Sequence, residues 1–210
     1  MNAILIVLIS ILILVVVYLV KKTGAQTRLE LFTPIAKKYN AEYQPEEILQ
    51  GDHLFVSYRD NDLVIKLRTR QYTKPTGDPD HTRNVRVRIL TAELELDKAH
   101  LPLISLATDS FFKKIVSFDN EDRIHTGDET FDKRYVIESA DPDLVKKLFP
   151  EETRKKLTAK HINSASFLMN EDHFNMEVVL SDIELSHPDM STRIEEFIDL
   201  AIFFLERAWQ

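Results

Sequence analysis

An uninterrupted apolar run near the N-terminus constrains this chain more than any other part of its sequence. Residues 3–20, AILIVLISILILVVVYLV, include only Ser10 and Tyr18 as side chains with a polar atom. At about 1.5 Å per residue, a helix of this length extends about 27 Å, close to the hydrocarbon thickness of a bilayer. The run has no polar face, which argues against a surface helix of a soluble core. It therefore predicts a transmembrane helix.

The residues that flank this run predict how it is used. A cleaved signal peptide would have a basic start and a small-residue cleavage site, whereas here only Met1 and Asn2 precede the run and no A-x-A pattern follows it. Lys21 and Lys22 come directly after the run, and the positive-inside rule then places the following domain in the cytoplasm. We expect a single-pass protein of the cell membrane, with an anchor at residues 1–22 and a soluble domain at residues 23–210.

Composition excludes several classes of function. The chain has 210 residues, and the roughly 190 outside the run are enough for one domain with a sizeable core. It contains no Cys, which rules out disulfides, thiol nucleophiles and Cys-based metal sites. A net charge of −7 disfavours a generic nucleic-acid-binding protein, and we expect no nucleic-acid partner.

Hydrophobic patterns predict the secondary structure of the domain. Alternating apolar residues on both sides of residues 60–62, and again around residues 170–172, predict two β-hairpins. A broad apolar stripe along residues 190–209 predicts a docked C-terminal helix. Residues 85–96 also alternate, but the apolar parity changes near Leu90, which predicts a β-bulge there. We therefore expect an α+β fold in which helices pack on a largely antiparallel sheet.

The most densely charged segment is HTGDETFDKRYVIESADPD, residues 125–143. Its pattern predicts a turn with Gly127, a strand over residues 131–139, and a helix with Asp141 at its N-cap and Pro142 as its first residue. These acids could instead form an acid–base site. Because nearly every acid has a local structural role in this arrangement, the sequence favours the structural interpretation.

The same segment resembles a family of uncharacterised, membrane-tethered bacterial proteins. The resemblance rests on TGDETFDKRYVIESADPDLVKKLF, on PEETRKKL after it, and on an IAKKYNAEY helix and a hairpin before it. Its central strand motif is T-G-D-x-x-F-D-x-R-Y/F-x-V/I. The resemblance implies the layout of most of the soluble part, and it implies no catalytic or binding residues.

Motif searches identify no known chemistry. The sequence contains no phosphate-binding loop, no dinucleotide fingerprint, no nucleophile elbow and no H-E-x-x-H zinc motif. DPDH at residues 78–81 and NEDHF at residues 170–174 place acids beside a His, but both patterns are typical of polar turns. We expect no metal site and no cofactor.

One group of basic residues is the candidate site. Lys66, Arg68 and Arg70 share one face of a predicted strand, and Arg86 and Arg88 share one face of the next. If these strands pair across residues 71–84, which their Pro and Gly residues predict to be a polar loop, five cations lie side by side, and like charges directly opposite one another destabilise a sheet. The face is either solvated and relieved by nearby Glu residues, or it binds an anionic surface such as lipid headgroups.

These observations leave three hypotheses for function. The first is a non-catalytic, membrane-anchored cytoplasmic module that binds lipid headgroups or a protein partner. The second is a membrane-tethered hydrolase whose acids and His residues, with or without a metal, come together only in the fold. The third is an accessory subunit of a larger membrane complex.

Overall fold

A nine-stranded antiparallel sheet forms the framework of the domain. A computed structural model of the chain describes residues 3–45, 51–75, 82–95, 102–108, 123–181 and 183–208, without the side chains of residues 3–9, 17, 19–21, 72–75 and 82–84. The strands are β1 Ala41–Gln44, β2 Asp52–Tyr58, β3 Asn61–Pro75, β4 Thr82–Glu95, β5 Ile104–Thr108, β6 Arg123–Ile124, β7 Tyr135–Ser139, β8 Ile162–Asn170 and β9 His173–Leu180. Their order across the sheet is β1-β2-β3-β4-β9-β8-β5-β7-β6.

Helices occur before, between and after the strands. Within the described residues they are α1 Ala3–Lys38, α2 Glu129–Arg134, α3 Pro142–Leu148, α4 Glu151–Leu157 and α5 Asp189–Ala208. With the antiparallel sheet they confirm the α+β class. α1 is continuous through Pro34 and through the boundary at residue 22 that the sequence predicted between anchor and domain.

Both predicted hairpins are confirmed. β2 and β3 pair from Asp52↔Leu67 to Tyr58↔Asn61, so the turn consists of Arg59 and Asp60, one residue earlier than the sequence indicated. Both turn residues have positive φ, of 47° and 66°, which matches the two-residue turn that fits the twist of paired strands. β8 and β9 form the second hairpin, with its turn at residues 171–172 as expected.

The core lies between one face of the sheet and the helices. α5 presents its apolar stripe to this face, including Ile194, Ile198 and Phe204, each at most 1% exposed. α1 packs beside α5, where Lys38 Nζ lies 2.6 Å from Glu195 Oε2. The sequence pattern of the C-terminal helix is therefore confirmed as a core-facing stripe.

The predicted bulge near Leu90 is wrong. β4 pairs with β3 in one continuous register from Val64↔Glu93 to Pro75↔Thr82, and with β9 in one register as well. From residue 86 onward, the even-numbered positions of β4 lie on the face of the sheet that holds Leu90, Ala92 and Leu94 in the core. The apolar parity changes because Arg86 and Arg88 occupy helix-side positions at the beginning of β4, while Val87 lies on the other face of the sheet.

The structure also corrects the prediction for residues 125–143. Residues 129–134 form helix α2, not the first half of a strand, and β7 begins only at Tyr135. Asp128 is the N-cap of α2, since its side chain accepts hydrogen bonds from the amides of Thr130 and Phe131. The predicted helix after it is confirmed, with Asp141 at its N-cap and Pro142 at its start.

The direction of α1 relative to the sheet follows from two contacts. Phe32 stacks on Tyr43 of β1, with ring centroids 5.0 Å apart. Four residues earlier, Arg28 Nε lies 3.8 Å from Asp52 Oδ1, at the beginning of β2 and opposite Leu67 of β3. Followed backwards from Phe32, α1 therefore leaves the sheet at the end marked by Asp52 and Leu67, which we call the proximal end. The turns at residues 59–60 and 171–172 mark the distal end.

The N-terminal part of α1 has its apolar side chains in the open. Residues 11–16 are between 47% and 68% exposed, and Tyr18 is 64% exposed. In the described part of the chain, no helix has both the length and the apolar character needed to cross a membrane. The transmembrane helix is therefore not supported by the structure and stays a prediction from the sequence.

Candidate functional site

A two-stranded ribbon extends from the proximal end of the sheet. In the described residues, β2 pairs with β3 only as far as Leu67, and β9 pairs with β4 only as far as Arg88. β3 and β4 continue beyond these residues as a pair, which we call the arm (residues 68–75 and 82–87). Its six outermost residue pairs give it a length of about 20 Å at about 3.3 Å per residue.

The five cations predicted to share one face lie on two faces. Arg86 is directly opposite Gln71, and Arg88 is directly opposite Thr69. Residues directly opposite in antiparallel strands point to the same face. Arg86 and Arg88 therefore lie on the helix side, whereas Lys66, Arg68 and Arg70 lie on the other side. The strands pair as predicted, but the side-by-side arrangement is wrong.

Two of these cations have structural partners. Lys66 forms an ion pair with Glu93. Arg88 is only 5% exposed; it donates a hydrogen bond to the carbonyl of Ile183 at 3.2 Å and another to the hydroxyl of Thr69. Both side chains are therefore held by contacts within the domain.

The other predicted cations belong to the arm. Arg68, Arg70 and Arg86 are exposed, and Arg86 Nη1 lies 3.8 Å from Glu184 Oε1, which is itself exposed. The arm also contains Lys74 and Arg83 but no Asp or Glu.

Lys74 and Arg83 are directly opposite one another in the register of the arm. His53 lies opposite Lys66, on the face of the sheet that points away from the helices. Burial lowers the pKa of His53, and the charges of Lys66 and Arg68 lower it further. The base of the arm carries the exposed cations Arg68, Arg70 and Arg86 in a chain whose net charge is −7.

A polar cavity of about 270 Å³ lies where the arm meets α1. It is lined by Arg28, Gly51, Asp52, Leu67, Arg68, Thr69 and Leu185. Asp52 is 3% exposed and accepts a 2.8 Å hydrogen bond from the hydroxyl of Tyr43. Gly51 has φ of +83°, and a Cβ atom there would lie 2.6 Å from the carbonyl oxygen of Leu67. A glycine is thus required for the chain to enter β2 so close to β3.

The acids of residues 125–143 have structural partners. Asp132 accepts hydrogen bonds from Thr126 and from the amide of Gly127. Asp128 and Asp141 cap two helices. Among the described residues, no group of three or more His, Asp or Glu side chains is placed to hold a metal ion. The DPDH motif at residues 78–81 lies outside the described residues.

Sequence reasoning missed the arm because it interpreted residues 71–84 as a loop. The Pro and Gly residues in this stretch favoured that interpretation. The overlooked signal is the presence of β-favouring residues within this stretch, such as Tyr72 and Thr73. Asp52 and Gly51 carried no signal, because their roles depend on contacts with β3 and α1.

Comparison with known proteins assigns no function. No protein-family model matches the chain, and no curated protein matches it. Among solved structures, the chain is similar to the crystal structure of the mycobacterial trehalose monomycolate transport factor A, with 11% sequence identity and a TM-score of 0.37 over 85% of this chain and 94% of that chain. A similarity of this size supports no statement about function, and the resemblance to the family of uncharacterised bacterial proteins stays a prediction.

Proposed function

We propose that this protein is a non-catalytic binding module of the cytoplasmic membrane surface, attached to the bilayer by residues 3–20 and oriented by its basic arm. The observation that carries this proposal is the geometry of the proximal end. An exposed apolar helix and a basic ribbon extend from the same end of one sheet. The proposal includes a role as an accessory subunit, in which the distal end and the sheet are left for a protein partner.

The apolar part of the proposal rests on α1. Large aliphatic side chains around the helix at residues 11–16 are exposed, and the sequence continues apolar on both sides, from residue 3 to residue 20. Removing such a surface from water stabilises by about 25 cal/mol per Å² of apolar area. A bilayer is the environment that covers all sides of a helix in this way.

The electrostatic part rests on the arm. An anionic leaflet attracts each nearby Lys or Arg by about 1 kcal/mol. An attached helix already holds the domain at the surface, so this attraction orients the domain without a specific pocket.

The prediction that tests attachment is extraction from membranes. Cells that produce the full chain should retain it in the membrane fraction after washes with high salt and with alkaline carbonate. The double variant Ile13→Arg, Leu14→Arg should appear in the soluble fraction, because a charged residue at the centre of a membrane helix costs about 2.5–3.5 kcal/mol. Protease added to intact cells should leave the domain uncut.

The matched control is Leu29→Arg. Leu29 is also on α1 and is 55% exposed, but it lies after the apolar run, so this variant should stay in the membrane fraction. Release of the parent chain by carbonate, or equal release of both variants, would show that residues 3–20 do not hold the protein in a bilayer.

A further inference from the structure

A second cavity lies on the helix side of the sheet. It has a volume of about 240 Å³ and is bounded by the core face of β4, β8 and β9, by the first half of α5, and by the end of α4 with the residues after it. An apolar cavity of about 150 Å³ holds a benzene ring, so this one has room for a larger apolar group.

The interior of the cavity is apolar. Six of its lining side chains are hydrophobic and at most 8% exposed: Leu90, Ile162, Val178, Leu180, Phe197 and Leu200. Protein interiors are otherwise packed nearly as densely as organic crystals, and unfilled apolar space costs stability. An alkyl chain has the chemistry and the shape to fill such a space.

The polar lining of the cavity is mainly basic. It consists of Lys155, Lys156, His161 and Arg193, with Glu196 as the single acid among the lining residues. Lys155 and Lys156 form ion pairs with Glu151 and Glu152, which lie one helical turn earlier on α4. These pairs are exposed, and exposed ion pairs stabilise a protein only weakly. Burial lowers the pKa of His161, and the charge of Arg193 lowers it further, while Glu196 and Asp189 act in the opposite direction.

We propose that this cavity binds the alkyl chain of a single-chain anionic amphiphile, with the head group held by Lys156 and Arg193. The shared chemistry is one apolar tail and one anionic head, either a carboxylate or a phosphate. A cationic or neutral head would lose the interaction with Lys156 and Arg193, whose ion-pair partners within the chain, Glu152 and Asp189, are both exposed. The inference rests on the cavity alone and does not depend on attachment to a membrane.

Photo-crosslinking tests this proposal on the full chain in zwitterionic nanodiscs. The probe is decanoic acid with a terminal diazirine, and labelled residues are mapped by mass spectrometry. The label should appear in residues 178–180 or 197–200. Decanoate should compete at least about tenfold better than decyltrimethylammonium, the expected effect of one charge-assisted hydrogen bond. Decyl phosphate is included to distinguish a phosphate head from a carboxylate.

Two variants and one control complete the experiment. Lys156→Gln with Arg193→Gln should reduce labelling of the cavity by about tenfold, and Leu200→Trp should reduce it by filling the space. Lys133→Gln should leave labelling unchanged, because Lys133 forms a comparable exposed pair with Glu129 outside the cavity. Label found only within residues 3–20, equal competition by the cationic amphiphile, or full labelling of the double Gln variant would each overturn the proposal.

This result is separable from the test of membrane attachment. A chain that carbonate washes release but whose cavity is labelled would contradict only the attachment. A chain that stays in the membrane without label at residues 178–180 or 197–200 would contradict only the amphiphile site.

Discussion

Gly51 connects the backbone conformation of one residue to the position of the arm. It precedes β2, has a left-handed φ of +83°, and passes so close to β3 that a Cβ atom would lie 2.6 Å from the Leu67 carbonyl oxygen. The next residue, Asp52, lies 3.8 Å from Arg28 Nε of α1. Gly51, Asp52 and Arg28 therefore line the same cavity at the base of the arm.

Alanine substitutions at three glycines distinguish the cost of a left-handed backbone from the cost of a steric clash of the new Cβ atom. Gly51→Ala should be the most destabilising, because it combines the left-handed conformation, which costs about 1–2 kcal/mol for an L-residue, with the collision at Leu67. Gly127→Ala should show the conformational cost alone, since φ is +81° and nothing lies within 4 Å. Gly24→Ala in α1 should be neutral or stabilising. Urea denaturation followed by circular dichroism measures the order; equal effects at Gly51 and Gly127 would contradict the close approach.

Asp128 gives a prediction about pH. The hydrogen bond from the Phe131 amide is the main cause that lowers the pKa of Asp128 below 3.8, and Arg154 contributes as well. A carboxyl whose pKa is lowered by folding stabilises the fold above its unfolded pKa, and this contribution disappears as the pH falls through the folded pKa. The stability difference between the parent and Asp128→Asn should therefore be constant at neutral pH and shrink below pH 3.8.

Urea denaturation of both proteins between neutral and acidic pH measures this difference. Asn also caps helices well, so the remaining difference reports mainly the charged interaction with Arg154. In an Arg154→Gln background the pH-dependent part should be smaller. A difference that persists unchanged at the lowest pH would show that Asp128 is not held as a carboxylate.

The two N-cap residues, Asp128 and Asp141, show when a single residue predicts the start of a helix. Asp141 was predicted as a cap because Pro142 follows it, and Pro is typical of a first helical position. Asp128 lacks this signal. Phe131 and Tyr135 are four residues apart, a spacing that suits a helix face and also two positions on one strand face. The short helix α2 was therefore missed.

At the scale of elements, α5 is the part that the sequence predicted best. Its stripe of large apolar residues has the helical period over five turns, and such a pattern needs no knowledge of the partner surface. In the core, the Phe204 ring contacts Phe149 and Phe167 at centroid distances of 5.4 Å and 4.7 Å. These rings connect α5 to α3 and to the sheet.

Replacing Phe204 by Ala should therefore cost about 3–5 kcal/mol of unfolding free energy, through lost burial and the cavity left behind. Phe203→Ala is the matched control, because Phe203 is only partly buried and its ring lies 5.5 Å from the Arg207 guanidinium. It should cost clearly less. Thermal denaturation of both variants measures these losses of stability. Equal losses of stability in the two variants would mean that α5 is not docked through Phe204.

The arm, in contrast, could not be predicted as an element. The alternation of apolar and polar residues predicted strands at β3 and β4. The length of these strands depends on their pairing with each other, which continues to Pro75↔Thr82. The faces of Arg86 and Arg88 depend on the register, and a shift of one residue moves every side chain to the other face. The sequence therefore identified the basic residues but not their arrangement.

At the scale of the whole molecule, the sheet order lies beyond sequence reasoning. β5 pairs with β7 on one side and with β8 on the other, and the sequence patterns of these segments predicted neither pairing. Nothing in an alternating pattern specifies its partner strand when the connection is long. What the sequence does predict is the class of fold, the two hairpins and the apolar run.

The arrangement of the whole molecule gives the two ends of the sheet different surroundings. The proximal end carries the exposed part of α1 and the basic arm. The distal end carries two tight turns, and the acids Asp60, Glu171 and Asp172 lie in them. Under the proposed attachment, we expect the basic arm to lie toward an anionic leaflet and these acids to lie away from it.

Depth measurement by spin-label electron paramagnetic resonance tests this orientation most directly. The chain has no Cys, so single Cys residues can be introduced and labelled at Leu14, Arg70 and Asp172 in the full chain, reconstituted into anionic bilayers. Collisions with oxygen report hydrocarbon, and collisions with a water-soluble nickel complex report the aqueous phase. We predict hydrocarbon for the label at Leu14, the headgroup region for Arg70 and water for Asp172. A label at Leu14 as accessible to nickel as the one at Asp172 would contradict the account.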